Sequence, residues 1–345
     1  MKKEAVLVTG GAGFIGSHVA RHLLLNGYEV VVLDDLSGGF CENIPEGARF
    51  SRGDAGDKQL VEGMFAQYRF KHVFHLAAYA AEGLSHFIRG FNYKNNLLAS
   101  VCLINASIRH EVKTFVFTSS IAVYGRNQLP MTEELTPSPQ DPYGIAKFAV
   151  ELDLRAAHEM FGLHSIVFRP HNVYGTNQNL GDPYRNVIGI FMNQVMQGKP
   201  LSIFGDGTQT RAFSHIDDVA PIIANSIEVP EALGKVFNVG ADLPVSVIDL
   251  AEEVMKAMGK RVPIDHLPAR NEVLHAFASH DLVRKMFPDR PAPVQLTTGL
   301  REMAAWAKKA GARQGRVFKK VEIDRNLPPS WKALLEKNED KNEDY

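Results

Sequence analysis

The feature that most restricts the fold of this chain lies near its start. An apolar run, Ala5–Val8, passes directly into Thr9-Gly10-Gly11-Ala12-Gly13-Phe14-Ile15-Gly16, and an amphipathic stretch over 14–26 follows. The run reads as a buried strand and the stretch as a helix. Glycines at this junction have separate mechanical uses. Gly10 allows the tight turn, Gly13 lets the backbone approach an anion, and Gly16 lets helix and strand pack closely. The helix N-terminus then offers N–H donors and partial positive charge to a pyrophosphate. A tight turn with no ligand is the competing reading of the loop taken alone.

A dinucleotide-binding unit requires an acidic residue about 20 residues further on, at the end of the second strand. Val30–Leu33 ends at Asp34-Asp35. Asp34 is placed to accept hydrogen bonds from both hydroxyls of an adenosine ribose. Its charge repels a 2′-phosphate, which favours NAD over NADP. A plain strand-end turn residue is the alternative. Asp54, in Arg52-Gly53-Asp54, follows the next strand-like piece. It is read either as reaching the adenine or as a solvated loop carboxylate.

Further apolar runs at Val73–Leu76, Phe115–Thr118 and Ser165–Phe168 alternate with helical patterns at 58–68, 94–109 and 144–161. Buried runs separated by helices predict an α/β fold, a Rossmann-type doubly wound parallel sheet. The pattern then loosens, with helices expected near 187–197, 217–228, 247–258 and 298–310 and short strands at Leu201–Phe204 and Val236–Val239. The expected division is an NAD-binding domain over 1–180 and a smaller α/β substrate-binding domain over 181–335, some of whose segments return to the sheet. Residues 336–345 are read as a disordered polar tail.

Of 345 residues, 45% are hydrophobic and 22% charged, and the formal net charge is −1. No basic excess points to nucleic acid or to anionic lipid. Cys41 and Cys102 form neither metal-ligand spacing nor a disulfide framework, so no metal is expected and a reducing cytoplasm is. The apolar stretch after Met1-Lys2-Lys3-Glu4 is too short for a secretory segment. No run approaches the roughly 18 apolar residues of a membrane span.

Tyr143-Gly144-Ile145-Ala146-Lys147 places a phenol and an ammonium on one helix face. A cation near the phenol is expected to lower its pKa from about 10, so that Tyr143 serves as general acid and base on a hydroxyl. A bare Tyr-x-x-x-Lys is common on solvated helices, and context decides between the two readings. Strand Phe115–Thr118 ends in Ser119-Ser120-Ile121-Ala122-Val123-Tyr124-Gly125, and ligands of such sheets sit at the carboxyl ends of the strands.

The glycine loop, His75-Leu76-Ala77-Ala78, the Ser119–Gly125 segment, Asp141-Pro142-Tyr143-Gly144-Ile145-Ala146-Lys147 and Arg169-Pro170-His171-Asn172-Val173-Tyr174-Gly175 together resemble the extended short-chain dehydrogenase/reductase family of NAD-dependent epimerases and dehydratases, nearest to the UDP-glucose 4-epimerase group. The resemblance runs to about residue 290. It implies tightly held NAD, contacted also by Phe14, Ile15, Asp35, Ala55, Leu76, Ala77, Ala78 and Pro170. It implies a catalytic set of Ser120, Tyr143 and Lys147 that oxidises a sugar nucleotide, a UDP-sugar foremost, transiently at C4 and reduces it on the other face. It also implies a homodimer, in which helices near 94–109 and 144–161 pair with their copies.

Departures from relatives narrow the reaction. Dehydratases of the family carry an Asp-Glu pair after the catalytic Ser or Thr, where this chain has Ile121 and Ala122. The carboxylate of the family's decarboxylases is also missing from this segment, and neither cysteine falls where 3,5-epimerases use one. Glu82 is expected either to disfavour a uronate in the sugar pocket or to face solvent. By resemblance Arg211 and Arg270 bind the diphosphate, Phe204 lies beside the base and Asn172 contacts the diphosphate side. Each arginine alone is equally a surface cation. Ala276 is expected as the gate beside the sugar's C2 substituent, open to an N-acetyl group; a register shifted by one puts Phe277 there and closes it. A uronate epimerase, a sugar-nucleotide dehydrogenase or reductase, and a non-catalytic NAD-binding relative are the rival functions.

Overall fold

The computed structural model describes residues 4–269, 273–315, 318 and 321–339. Its centre is a sheet of seven strands: β1 (Ala5–Thr9), β2 (Glu29–Asp34), β3 (Arg49–Arg52), β4 (His72–His75), β5 (Thr114–Thr118), β6 (Ser165–Pro170) and the strand Val236–Val239. Every neighbouring pair is parallel. The order runs Val236–Val239, β6, β5, β4, β1, β2, β3. The chain therefore builds outward from β1 in one direction through β3, then crosses to β4 and builds the other way. The crevice opens where that reversal occurs, at the carboxyl ends of β1 and β4.

Side-chain alternation divides the sheet residues between two cores. Val6, Val8, Val30, Val32, Phe74 and Val116 face the helices Phe14–Leu25 and Ala220–Asn225. Leu7, Val31, Leu33, Val73, Phe115 and Phe117 face Lys58–Tyr68, Ala99–Arg109 and Pro142–Phe161. Both layers are fully covered, so central strands can be continuous apolar runs. β3, the strand-like piece before Gly53, carries no apolar run because it is an edge strand whose residues Arg49, Phe50 and Arg52 are exposed.

The second lobe joins strands Leu201–Phe204 and Ile264–Leu267, and separately joins Thr210–Ala212 to Pro244–Ser246 and His275–Ala276. Phe191, Leu250, Val254 and Met303 form its core between the helices Val187–Gln197, Val247–Met258 and Leu296–Ala310.

Several elements differ from expectation. The helix expected over 217–228 is broken into Ile216–Asp218, Ala220–Asn225 and Ser226–Glu228, of which only the middle piece is α-helical. Its Pro221, near the helix start, has no N–H to give to a preceding turn. The helix expected over 94–109 begins earlier, at Arg89, and passes through a π-turn at Lys94–Leu98. The π-turn aims Asn96 inward, where its side chain accepts from Tyr79 N–H at 2.8 Å and donates to Tyr79 O at 3.0 Å. The carboxyl-terminal helix Pro329–Glu339 takes in the first part of the stretch read as tail. Residues 340–345 lie outside the described residues. Leu327 and Trp331, buried against Ala81, Leu84, Ile88 and Tyr184, hold this end of the chain on the first lobe. The Glu322 carboxylate accepts the Gly90 and Phe91 N–H groups at 2.7 and 2.8 Å.

Candidate active site

The glycine loop is as close-packed as its sequence suggests. Gly10 has φ +70°, and a Cβ there would lie 2.7 Å from the Ala77 nitrogen. At Gly16 a Cβ would lie 2.1 Å from the Gly10 oxygen. No larger residue allows this approach of helix, loop and β4. Gly13 starts the helix Phe14–Leu25 without a side-chain cap, which leaves first-turn N–H groups for an external acceptor. Asp34, at the end of β2, is buried. Its carboxylate accepts Ala12 N–H at 3.0 Å and Leu36 N–H at 2.8 Å. Burial pushes its pKa up, and those amides act against the rise. The cradle fits an adenine dinucleotide: a glycine floor for phosphates and a fixed carboxylate at the ribose position.

One cleft of about 1710 Å³ runs from this cradle to the second lobe. That exceeds the roughly 300–1,000 Å³ typical of a single small ligand and suits a dinucleotide together with a sugar nucleotide. Gly10, Gly13, Phe14, Ile15, Gly16, Asp34, Asp35, Asp54, Ala55, Leu76, Ala77, Ala78 and Pro170 line it. Glu82, Ser120, Tyr143, Lys147, Asn172, Phe204, Arg211 and Ala276 line it too. Arg270 lies outside the described residues. Asp54 is exposed and accepts Gly56 N–H at 2.7 Å.

Tyr143 and Lys147 sit in the first turns of the helix Pro142–Phe161. Asp141 caps it by accepting Gly144 N–H at 2.9 Å, and Pro142 opens its first turn. Ser120 follows β5 and caps a short turn by accepting Ala122 N–H at 3.1 Å. Lys147 is almost wholly buried, donates to the Thr118 carbonyl at 2.8 Å and lies 5.8 Å from the Tyr143 ring centre.

The electrostatics correct one expectation. Burial holds the Tyr143 phenol well above its ordinary pKa; Ser120 and Arg185 oppose the rise, while Glu82 and Asp141 add to it. Burial also pushes Lys147 down to about 7, with Glu151 opposing. In the chain by itself desolvation is the largest influence on both groups, and the Lys147 nitrogen, held by the Thr118 carbonyl, lies 5.8 Å from the centre of the phenol ring.

Sequence reasoning missed three parts of the surroundings. Glu151, two helical turns beyond Tyr143, accepts the Arg169 guanidinium through both carboxylate oxygens at 3.0 and 2.5 Å and the Ser119 hydroxyl at 2.5 Å. This buried pair fixes the end of β5 beside Ser120. Arg185 lies on Asp182 at 2.5 Å, over the Tyr79 ring at 4.9 Å, and lines the cleft. The carboxyl-terminal segment adds Leu327 and Trp331 to the cleft wall; the spacing of Leu327, Trp331, Leu334 and Leu335 was the available signal.

The second-lobe residues are arranged more as framework than expected. Arg211 donates to the carbonyls of Thr210, Leu274 and Val273 at 2.9, 2.9 and 2.5 Å. It thereby fixes the strand that carries Ala276, its register partner. Asn172 has φ +40° and donates to Ala212 O at 3.2 Å. Ala276 is buried and faces the cleft, whereas Phe277 is not among the lining residues. Glu82 opens the short helix Glu82–Ser85, is exposed, and engages in a polar or charge contact.

The profile of the NAD dependent epimerase/dehydratase family matches residues 6–240. The chain belongs to that family. Its cofactor is accordingly NAD. A UDP-glucose 4-epimerase of Streptomyces lividans is 34% identical over 279 residues, covering 76% of this chain and 84% of that protein. A crystal structure of UDP-glucose 4-epimerase with UDP-glucose from Thermotoga maritima superposes with TM-score 0.83 at 34% identity, over 89% of this chain and 99% of that one. The UDP-glucose 4-epimerase of Thermus thermophilus, in complex with NAD, gives TM-score 0.80 at 31% identity, over 88% of this chain and 98% of that one.

Proposed function

We propose that this chain is an NAD-dependent 4-epimerase of UDP-hexoses, interconverting UDP-glucose and UDP-galactose with room for N-acetylated sugars. The observation that carries the reading is the convergence of Ser120, Tyr143 and Lys147 on one cleft with the dinucleotide cradle, with Ile121 and Ala122 as the neighbours lining it. Those two side chains hold no proton, so no acid or base stands where elimination of water would need one.

NAD, when bound, supplies a hydride acceptor that returns the hydride. Gly10, Gly13 and Gly16 would hold its phosphates and Asp34 its adenosine ribose. Tyr143 acts from its phenolate form, which the positive charges of Lys147 and of the nicotinamide ring would favour against desolvation: it takes the proton of the sugar O4 as C4 is oxidised to the ketone, and returns it when C4 is reduced on the opposite face. Ser120 hydrogen-bonds the same oxygen. Lys147 is fixed by the Thr118 carbonyl near the Tyr143 ring, and its remaining N–H groups would hold the nicotinamide ribose. Proton and hydride both return to the sugar, so the net change is inversion at C4.

The working compartment of this reading is the cytoplasm, consistent with free Cys41 and Cys102. Among the described residues no helix is long and apolar enough to cross a membrane. The assembly of this reading is a homodimer. Leu98, Leu152, Met160 and Phe161 are 60%, 40%, 75% and 65% exposed, and they lie on or at the ends of the two helices named for pairing. Exposed large side chains gathered on two adjacent helices call for a covering partner.

Incubation of the purified protein with UDP-glucose, UDP-N-acetylglucosamine and UDP-glucuronate, followed by chromatography, tests the function. C4 epimers of the first two are expected. Net formation of NADH, or turnover of the glucuronate alone, overturns it.

A further inference from the structure

Away from the cleft, three side chains from distant parts of the sequence meet at the surface. His215 ends the short strand Ser214–His215, Asp217 lies in the turn Ile216–Asp218, and Glu302 stands on the helix Leu296–Ala310. One nitrogen or oxygen atom from each lies within 4.8 Å of the others. The two carboxylates are more than half exposed, while the His215 side chain is only 3% exposed.

The histidine is what makes the cluster more than a pair of surface acids. Its Nδ1 accepts Asp217 N–H over a long 3.4 Å. Its Nε2 is buried and has no hydrogen-bond partner, yet it faces a Glu302 carboxylate oxygen at 3.8 Å. A buried ring nitrogen is costly to leave unmatched. The approach of the helix is also built in. A Cβ at Gly299, one turn before Glu302, would lie 2.7 Å from His215 Cδ2 and 2.3 Å from the Tyr174 hydroxyl oxygen. Only glycine lets the helix come down on the imidazole, and the Tyr174 ring holds that imidazole edge-on with centroids 5.3 Å apart.

We propose that His215, Asp217 and Glu302 bind a divalent transition-metal ion. Imidazole with two carboxylates suits zinc or manganese better than an all-oxygen ion such as calcium or magnesium. Bonds of about 2.0–2.2 Å place neighbouring ligand atoms roughly 3.0–3.5 Å apart, so the exposed carboxylates need to close in only slightly. Coordination through Nε2 requires the ring proton on Nδ1; the long Asp217 N–H contact is then given up, and Nδ1–H donates instead toward the Asp217 carboxylate 3.7 Å away, leaving that residue's other oxygen for the ion. The sequence concealed this site because residues 302 and 215 are far apart and no local spacing links them.

The ion would tie the substrate-lobe helix to the strand Ser214–His215, which pairs with Val173–Tyr174 immediately after the cleft residue Asn172. Its role is to hold these two elements together, and the inference does not depend on the reaction proposed above.

The test is calorimetric titration of the full chain, stripped with chelator and saturated with NAD, with zinc chloride and separately with manganese chloride. One site per chain is expected, with a rise in thermal midpoint on binding. Glu302→Gln and Asp217→Asn are each expected to weaken binding about tenfold or more while sugar-nucleotide turnover and NAD content stay native. Both carboxylates are exposed, so the variants keep the fold. The absence of saturable binding of either ion, or binding that survives the double variant, overturns the proposal.

Discussion

His75 makes the fold acid-sensitive at the cofactor site. It is 1% exposed, between β1 and the helix Ala99–Arg109. The hydroxyl of Ser100 donates to Asn96 O at 3.0 Å, so at 2.8 Å it accepts from His75 Nε2–H. Nδ1 therefore accepts the Thr9 hydroxyl at 2.7 Å, and Thr9 Oγ1 accepts Ala77 N–H at 3.3 Å. The neutral ring has every position used, and a second proton would displace Thr9. Burial, with the Lys147 charge adding to it, pushes His75 down to about 3. In the unfolded chain its value is about 6.5. Between those values the unfolded chain binds the extra proton and the folded chain does not, so stability falls as pH falls through this window and is flat above it. From pH 6 to pH 5 the loss is about 1.2 kcal/mol for one such group. His171, also buried and pushed down to about 3, adds a similar amount. Urea titrations of the native protein and His75→Phe at both pH values isolate the term. The variant loses stability at every pH because the Thr9 hydroxyl proton loses its acceptor and Ser100 Oγ loses a donor, at about 1–3 kcal/mol each. Its change between pH 6 and pH 5 is smaller than that of the native protein by about 1.2 kcal/mol. Equal changes in the two proteins would refute the reasoning.

Tyr143→Phe lowers turnover about 10²–10⁴-fold with NAD content unchanged, as read by product chromatography and by nucleotide assay of the denatured protein. Ser120→Ala is milder, since it removes one orienting hydrogen bond. Asp34→Ala weakens NAD binding by about 2 kcal/mol, roughly thirtyfold, and erodes the preference over NADP; fluorescence titration with both nucleotides checks this. Ala276→Tyr abolishes turnover of UDP-N-acetylglucosamine and spares UDP-glucose, and an unchanged ratio of the two rates would exclude Ala276 as the gate. Phe161→Glu with Met160→Glu converts a dimer of this chain to a 38.2 kDa monomer in light scattering, whereas a native monomer at micromolar concentration would remove the dimer from the reading.

The sequence alone determined what local geometry dictates. Apolar runs separated by helical patterns became β1, β2, β4, β5 and β6, because only strands buried on both faces are apolar throughout. The glycine loop and Asp34 were legible because their jobs are done by backbone conformation and by position along one strand–helix unit. Tyr143 and Lys147 were legible as a helical pair. Tertiary structure alone decided how deeply those groups are buried and what they touch. Whether Lys147 lowers the Tyr143 pKa depends on burial and on the Thr118 carbonyl, neither of which is written in a Tyr-x-x-x-Lys. The Glu151–Arg169 pair, the seating of Arg185 on Asp182, the return of Trp331 to the cleft and the meeting of His215 with Glu302 all depend on how the chain packs around them. Such contacts arise only when the lobes have packed, because hydrophobic burial fixes which helix faces meet while sequence periodicity says only that a face exists.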